Sequence, residues 1–451
     1  MKIKNRVALI NNTRESLKQA RKDAICAVEN ALDSIDPADA VKHIVKSDSR
    51  VLYIAGKKIE LSKISKFFLI ALGKASVKMA KSLLSIIKID EGVVVSNVKC
   101  DDLMGNVEFI KAAHPIPDES SIYAGEKMLS ISDKTDDDSL TFILISGGGS
   151  AMVESSSVAL KDIQKTTKLL LNAGADITEI NTVRKHFSNI KGGKLLNKLN
   201  GKVVSLIISD VVGNDLSTIA SGITYFDSTT YRDAYNVLEK YEIRNKVPKG
   251  VINLLSDGAQ GKLKETLKEK EFRLKDVENI IIAYNYKACR CATDLLSERG
   301  YLTFYLGSHI QGESKNIAQM LGRIAIDIAK SSVEKPAAIV CGGETTVNVT
   351  GSGLGGRMQE LSLAISPFLN HIPALFLSFG TDGIDGITNA AGAIADRYTI
   401  KRALNKKLNY RKYLNNNDSY NFFSQLDDLI FTGPTQTNVA DICILLINNR
   451  D

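Results

Sequence analysis

Two short motifs in the first half of the chain combine glycines with groups that bind anions. An apolar stretch runs into Ser146-Gly147-Gly148-Gly149-Ser150, a turn whose backbone N–H groups can cradle a phosphate, with the two serines as further donors. Lys74 follows Gly73 where another apolar run passes into a helical pattern, and there its ammonium and the helix N-terminus both attract an anion. No Gly-Lys-Ser or Gly-Lys-Thr occurs in the chain, so this is not a Walker loop. Both motifs predict phosphate binding.

Arg357 is the corresponding cation in the second half of the chain. It follows a run of glycines and opens a helical pattern, a position from which a guanidinium can hold phosphoryl or carboxylate oxygens bidentately. The preceding Gly351, Gly353 and Gly356 also match the G-x-G-x-x-G dinucleotide fingerprint. The fingerprint keeps an NAD(P)-dependent hydroxypyruvate reductase open as an alternative. Against it, the segment before the glycines alternates in polarity and does not resemble a fully buried first strand.

Acidic side chains follow several of the apolar runs. Mg²⁺ prefers carboxylates together with phosphate oxygens, so we assign metal binding to Asp210, Glu344 and Asp382. Asp210 is also a catalytic candidate, and either Asp382 or Asp385 is a candidate acceptor of a substrate hydroxyl proton. A cluster of basic residues has two open interpretations, an anion-binding group or a solvated helical face: Arg184, Lys185, His186, Lys191 and Lys194.

The elements that must position these residues form an α/β pattern. Apolar, β-branched runs predict strands at 67–72, 92–95, 141–145, 203–208, 280–283, 302–306, 337–340, 374–379 and 442–447. Helical patterns lie between them, at 75–87, 121–130, 314–330 and 359–369 among others. Fully apolar strands favour mainly parallel sheets buried on both faces. Ligands of such sheets sit beyond the carboxyl ends of the strands, where the glycines and acids follow.

Composition excludes several classes of protein. The chain has 451 residues and a formal net charge of +7, but its basic residues alternate with acids, it lacks Trp and only 6% of its residues are aromatic. Stacking platforms for nucleic acid are therefore not expected. No run of 18 apolar residues could span a membrane. We expect a cytoplasmic protein whose six cysteines are reduced.

Taken together, the motifs resemble those of the class II glycerate kinases, whose C-terminal part is a MOFRL-type domain. The resemblance covers nearly the whole chain and is carried, in this order, by LGKAS, AAHPIPDESS, LISGGGSAM, NTVRKHFSNIKGGKL, ISDVVGNDLSTIASGIT, CGGETTVNVTGSGLGGRMQE, SFGTDGIDGITNAAGAIAD and FTGPTQTNV. Two small departures are Ile223-Thr224 in place of Pro-Thr, and Met358 within GGRMQE where Asn is common.

The resemblance implies an activity, cofactors and an architecture. These are ATP-dependent phosphorylation of D-glycerate, usually at the 2-hydroxyl, with Mg²⁺, and two Rossmann-like α/β/α domains around an interdomain cleft. We expect domains at 1–250 and 275–451, with the last segment packing back on the first domain. Association as a homodimer is left open. A nucleotide sensor without turnover is a further alternative.

The resemblance also implies roles for individual residues. Lys74 and Arg357 correspond to the family's catalytic basic pair and also bind substrate, together with Asp382. The loop Ser146–Ser150 corresponds to the contact with the nucleotide phosphates. Asn214 and Asp215, in the ISDVVGNDLSTIASGIT segment, are assigned to nucleotide binding as well.

Overall fold

A computed structural model of the protein describes residues 2–100 and 103–448. The chain divides into two compact units. The central unit is Pro37–Ile282, and the terminal unit combines Met1–Asp36 with Ala283–Asp451. These ranges differ from the expected domains at 1–250 and 275–451, because the first 36 residues belong with the later part of the chain and the polar stretch around 250–275 lies inside the central unit.

The helices and strands of the described residues alternate along most of the chain. The helices are α1 Arg6–Asn11, α2 Glu15–Ser34, α3 Pro37–Ile44, α4 Ser76–Leu84, α5 Glu119–Ser132, α6 Gly149–Met152, α7 Leu160–Asn172, α8 Ile177–Phe187, α9 Lys194–Lys198, α10 Tyr231–Lys240, α11 Lys249–Ala259, α12 Glu269–Phe272, α13 Asn285–Glu298, α14 Ser314–Lys330, α15 Arg357–Leu369, α16 Thr399–Asn405, α17 Tyr410–Asn415 and α18 Ser419–Leu426. The strands are β1 Val45–Ser47, β2 Val51–Ile54, β3 Lys57–Glu60, β4 Phe67–Leu72, β5 Glu91–Ser96, β6 Val107–Lys111, β7 Leu140–Ile145, β8 Lys202–Ile208, β9 Val277–Ala283, β10 Leu302–Glu313, β11 Ala337–Thr346, β12 Ala374–Gly380, β13 Gly392–Asp396, β14 Leu429–Ile430 and β15 Asp441–Ile447. The predicted α/β class is confirmed.

The central unit is built on a sheet with the strand order β6-β5-β4-β7-β8-β9. The pairs β4–β5, β4–β7, β5–β6 and β7–β8 are parallel. Strands β4 and β7 are almost completely buried, which agrees with the expectation of a parallel sheet covered on both faces. The chain builds the sheet outward first on the β5 side of β4 and then on the β7 side. The junction between β4 and β7 is therefore the topological switch point, where ligands of such sheets bind.

The sheet of the terminal unit is mixed. Its order is β10-β11-β15-β12-β13-β14, and only β10–β11 is parallel among its pairs. The last strand, β15, lies between β11 and β12 and runs antiparallel to both. The expectation of mainly parallel sheets therefore describes the central unit, and the last segment forms an interior strand of the terminal unit's own sheet. Uniformly apolar strands such as β12 and β15 carry no sequence signal for their direction.

The N-terminal helix α2 belongs to the terminal unit through a buried arginine. Arg21 is fully buried and donates to Asp396 from Nε at 3.1 Å and from Nη2 at 2.5 Å. Its Nη1 donates to Asp428 at 2.7 Å and to the carbonyl oxygen of Leu9 at 2.8 Å. One guanidinium thus bonds to two buried carboxylates that lie more than 370 residues away in sequence, and Arg402 is the second cation beside them.

Two further findings concern the cysteines and the apolar length of the helices. None of the six cysteines forms a disulfide within the described residues. No helix within residues 2–100 and 103–448 is long and apolar enough to cross a membrane.

Replacing Arg21 tests this attachment. We expect Arg21→Met to lower the free energy of unfolding by about 3–5 kcal/mol, because it removes the one fully buried cation from Asp396 and Asp428 and leaves them only the half-buried Arg402. The measurement is guanidinium chloride unfolding at neutral pH. Arg14→Met is the matched control: Arg14 is exposed and lies over the Tyr398 ring at 4.8 Å, a contact worth about 1 kcal/mol or less. Equal effects of the two variants would contradict the assignment.

Candidate active-site residues

The two anion-binding motifs of the central unit are in direct contact. We call Gly73–Lys74 the GK turn and Ser146–Ser150 the SGGGS loop. The GK turn follows β4 and the SGGGS loop follows β7, and these strands are neighbours in parallel register. The backbone N–H of Lys74 donates to the carbonyl oxygen of Gly147 at 2.9 Å. Gly73 has φ +109°, and a Cβ there would collide with the carbonyl oxygen of Ser146, so the close approach of the two segments requires glycine.

The two serines of the SGGGS loop have different surroundings. Ser146 is buried; its Oγ accepts from the backbone N–H of Ala75 at 3.0 Å and donates to the carbonyl oxygen of Leu72 at 3.3 Å. This hydroxyl ties the loop to the end of β4, which differs from its expected role as a phosphate donor, because its proton already has an acceptor. Ser150 is half-buried, and its Oγ lies 2.9 Å from Oγ of Ser221.

Gly148 gives the SGGGS loop its shape. It has φ +86°, and a Cβ there would lie 3.0 Å from Cδ2 of His114. The His114 imidazole, in the AAHPIPDESS segment, therefore lies beside the loop. Sequence reasoning did not assign a role to this histidine, although its motif was among those that carry the family resemblance.

Most of the basic cluster is buried, so a solvated helical face is excluded for it. Lys191 forms a fully buried ion pair with Glu154, and burial lowers the pKa of Lys191 to about 8. Next to it, the N–H groups of Gly192 and Gly193 donate to the carbonyl oxygens of Ser221 and Gly222 at 2.9 and 2.7 Å. This turn therefore supports the Ser221 segment that contacts Ser150.

Two other members of the basic cluster are also buried. Lys185 pairs with Asp227 at 3.3 Å, and Nδ1 of His186 lies 2.7 Å from the carbonyl oxygen of Thr182. Arg184 is half-buried, and its Nη2 donates to the carbonyl oxygen of Ser150 at 2.9 Å. The cluster contacts the SGGGS loop through Arg184.

The segment after β8 contains the other predicted residues of the central unit. Asp210 is half-buried directly beyond the strand. Asn214 adopts a left-handed backbone conformation with φ +56°. Asp215 is exposed and accepts from Ser217 N, Ser217 Oγ and Thr218 Oγ1 at 2.8–2.9 Å. Although burial opposes it, these hydrogen bonds hold the pKa of Asp215 below its usual value. Asp215 thus organises its own turn.

Arg357 of the terminal unit is held by two carboxylates. Its Nε and Nη2 donate to Asp441 at 2.6 and 3.0 Å, and its Nη1 lies 3.0 Å from Oε1 of Glu344. Although burial opposes it, Asp441 and Glu344 raise the pKa of Arg357 above its usual value. A guanidinium has five N–H donors, so two remain for a ligand. The side chain is fixed in direction and permanently charged.

This arrangement changes the assignment of Glu344 and adds a residue that the sequence analysis did not select. Glu344, a predicted metal ligand, lies at the end of β11 as a partner of Arg357. Asp441, the first residue of β15, was missed. Its signal was its place at the end of FTGPTQTNVAD, directly before the final apolar run. Nothing in that pattern indicates a contact with Arg357, 84 residues earlier in the chain.

The two candidate proton acceptors differ in burial. The carboxylate of Asp385 is almost fully buried and accepts from the backbone N–H groups of Met358 and Gln359 at 3.1 and 2.8 Å. It therefore caps α15, and burial raises the pKa of Asp385 to about 6. Asp382 is half-buried, and its Oδ1 accepts from the N–H of Ile384 at 3.1 Å. Of the two residues, Asp382 is the less buried.

Backbone N–H groups of the glycine fingerprint donate to acceptors within the protein. Asn417 Oδ1 accepts from the N–H groups of Thr350 and Gly351, both at 2.9 Å. Gly353 N donates to the carbonyl oxygen of Asn416, and Leu354 N donates to Asp418, again at 2.9 Å each. These are the amides that a dinucleotide pyrophosphate would need, and the N-terminus of the following helix is filled by Asp385. The loop is a structural support of Arg357.

A cavity of about 600 Å³ lies beside Arg357 in the terminal unit. Glu344, Arg357 and Glu360 line it together with the glycine loop. Glu360 is almost fully buried, and its Oε1 has no hydrogen-bond partner within the described residues. The cavity therefore brings one fixed cation and one buried carboxylate to a space of small-molecule size.

The predicted magnesium ligands do not form a protein-only cage. No cluster of three or more His, Cys, Asp or Glu side chains suited to a metal ion occurs in residues 2–100 and 103–448. Mg²⁺ in phosphoryl-transfer enzymes takes one or two carboxylates and completes its shell with phosphate oxygens and water. The half-buried carboxylates of Asp210 and Asp382 fit that requirement, each within its own unit.

Comparisons with known proteins agree on one group of relatives. Two family models match the chain, one described as a domain of unknown function (DUF4147) over residues 23–256 and the other as the MOFRL family over residues 337–441. A glycerate 2-kinase of Pyrococcus horikoshii is 40% identical over 428 residues, 94% of this chain and 96% of that protein. A D-glycerate 2-kinase of Thermotoga maritima is 37% identical over 442 residues, 96% of this chain and 99% of that protein. The crystal structure of glycerate kinase from Thermotoga maritima superposes with a TM-score of 0.84 at 36% identity, covering 95% of this chain and 100% of that one.

The contact between the GK turn and the SGGGS loop can be tested at Gly73. Gly73→Ala places a methyl group against the carbonyl oxygen of Ser146. We expect this variant to lower the free energy of unfolding by about 2–5 kcal/mol, because backbone strain and overpacking act together. The matched control is Gly174→Ala, which has φ +80° but open space around the new Cβ. Gly174→Ala should lower the free energy of unfolding by about 1–2 kcal/mol, because only backbone strain acts there. Thermal unfolding measures both, and equal losses would contradict the tight contact.

The role of Asn417 can be tested by hydrogen exchange. Asn417→Ala removes the acceptor of two loop amides, so we expect the amides of Thr350 and Gly351 to exchange at least about 10-fold faster, the equivalent of one lost hydrogen bond. Asn421→Ala is the control, since Asn421 is exposed and its side-chain amide donates to Oδ1 of Asp418. Unchanged protection in Asn417→Ala would show that the glycines hold the loop by themselves.

Proposed function

The chain belongs to the glycerate 2-kinase family, and we propose that it transfers the terminal phosphoryl group of ATP to the 2-hydroxyl of D-glycerate. One observation carries the proposal beyond family membership. The GK turn and the SGGGS loop are locked together at the switch point of a parallel sheet, which is where folds of this type bind phosphates.

The central unit supplies the groups that bind the nucleotide in this proposal. Phosphoryl transfer has a loose transition state, so the protein mainly positions the reactants and neutralises charge. The backbone N–H group of Gly148 and the half-buried Lys74 would meet the phosphate oxygens. Ser146 does not contact the phosphates; its hydroxyl keeps the loop in place against β4. Asn214 and Asp215 remain predicted contacts of the nucleotide.

Arg357 supplies a second positive charge. Asp441 holds two of its N–H groups in a fork, so the guanidinium does not have to be ordered when the reaction occurs. Its two remaining donors would bind oxygens of the transferring phosphoryl group or the carboxylate of glycerate. Asp382, the more open of the two aspartates, would accept the proton of the attacking hydroxyl.

Magnesium is part of the proposal. Asp210 or Asp382 would hold it, and when bound it would neutralise charge on the phosphate oxygens. Glu344 is not included, because its carboxylate is paired with Arg357.

The two alternatives are weaker. A reductase would need free amides in the glycine fingerprint, and those amides are bonded to Asn416, Asn417 and Asp418. A nucleotide sensor without turnover needs no fixed arginine beside a cavity of small-molecule size. One assay separates all three: ADP release and NADH absorbance are followed with glycerate and with hydroxypyruvate. NADH oxidation without ADP formation would overturn the kinase, and ATP binding without turnover of glycerate would favour the sensor.

Replacing the two basic residues tests their assignment. We expect Lys74→Ala and Arg357→Ala each to lower kcat/KM for D-glycerate by ~100-fold or more, because each removes a group that stabilises transition-state charge. Coupled ADP release measures the rate, and phosphorus NMR identifies the phosphorylated hydroxyl.

Two exposed residues serve as matched controls for this experiment. Lys81 lies on α4, the helix after Lys74, and Arg323 lies on α14. Lys81→Ala and Arg323→Ala should retain kcat/KM within about twofold, as surface substitutions do. Near-normal kinetics in a folded Arg357→Ala would remove that residue from the mechanism.

A further inference from the structure

Arg184 differs from the other basic residues that pack behind the SGGGS loop. It lies on α8, and its Nη2 donates to the carbonyl oxygen of Ser150, the last residue of the loop. The residue as a whole is half-buried. The arginine therefore contacts the SGGGS loop through one hydrogen bond, and most of its N–H donors are not used in it.

The charges of two of its basic neighbours are already compensated by carboxylates. Lys191 is paired with Glu154, and Lys185 with Asp227. Lys194 donates to the carbonyl oxygens of His186 and Ser188 and lies over the Tyr231 ring at 5.6 Å. Each of these side chains has a structural partner that accounts for its presence.

Arg184 has no such compensation. Within residues 2–100 and 103–448 no carboxylate lies within 4.0 Å of its guanidinium, and the Ser150 carbonyl is its one hydrogen-bond acceptor. Burial lowers the pKa of Arg184, and Glu154, the carboxylate that opposes this effect, is already paired with Lys191. Partly burying a cation without a counter-ion is costly. A bound anion would remove that cost.

We propose that Arg184 binds a phosphate group of the nucleoside triphosphate held by the SGGGS loop, as a further phosphate-binding residue beside Lys74. This rests on the proposed kinase function, because that function supplies the triphosphate. The link from Nη2 to Ser150 fixes the guanidinium next to the loop. Its other N–H groups are left for phosphate oxygens, which guanidinium groups bind bidentately.

A charge-removing substitution that keeps the loop contact isolates this role. Arg184→Gln retains an amide that can donate to the Ser150 carbonyl but loses the positive charge. We expect it to weaken binding of ATP and of inorganic tripolyphosphate by about 10- to 100-fold, the range for a hydrogen bond to a charged group. Arg184→Lys should recover part of the affinity. Isothermal titration measures both ligands, and KM for D-glycerate should stay unchanged.

Arg232→Ala is the matched control. Arg232 also makes one guanidinium–carbonyl bond, to Ala259 at 3.2 Å, but it is exposed on α10. It should bind tripolyphosphate like the wild type. Thermal unfolding of every variant verifies that the fold is kept, and Arg184→Lys carries the test if Arg184→Gln does not fold.

The possible results separate this inference from the proposed function. Tripolyphosphate affinity within twofold of wild type in folded Arg184→Gln would overturn the inference and leave Arg184 as a support of the loop. An increase in KM for D-glycerate with unchanged ATP binding would also overturn it, since the bound anion would then be the substrate carboxylate. Failure of the wild-type protein to phosphorylate glycerate would refute the proposed function, while direct tripolyphosphate binding would still test Arg184.

Discussion

The parallel pairing of β4 with β7 determines where the candidate phosphate-binding groups of the central unit lie. Two strands in register end at the same edge of the sheet, so the segments that follow them, the GK turn and the SGGGS loop, must pack against each other. The backbone bond from Lys74 to Gly147 and the absence of a side chain at Gly73 make that packing tight. A change in strand order would separate these groups, because each motif by itself is only a turn.

Charge compensation distinguishes the supporting residues from those available for chemistry. Lys191, Lys185 and Arg21 have carboxylate partners inside the protein, and their burial is accounted for by those pairs. Arg357 is paired with two carboxylates, but these use three of its five donors and leave two N–H groups for a ligand beside a cavity. Arg184 has no carboxylate partner within the described residues. A cation that the protein orients but does not neutralise is suited to an anionic ligand.

Much of the candidate site could be predicted from the sequence where residue type and local spacing were sufficient. The SGGGS loop, Lys74 and Arg357 stood at the ends of apolar runs, and those runs are strands or the starts of helices in the structure. The fingerprint glycines show the limit of such reasoning. Their spacing matches a dinucleotide motif, yet the amides of Gly351 and Gly353 donate to Asn417 and Asn416, which lie more than 60 residues further along the chain.

By itself, the sequence determined the α/β class, the position of the phosphate motifs and the family, because apolar periodicity, glycine turns and ordered motifs are local properties of a chain. Only the tertiary structure decided that residues 1–36 belong with the later part of the chain, that β15 runs antiparallel inside its sheet, and which charges have partners. Those outcomes depend on contacts such as Arg21 with Asp396 and Arg357 with Asp441. Ion pairs between residues far apart in sequence leave no local pattern, since each partner alone reads as an ordinary charged residue.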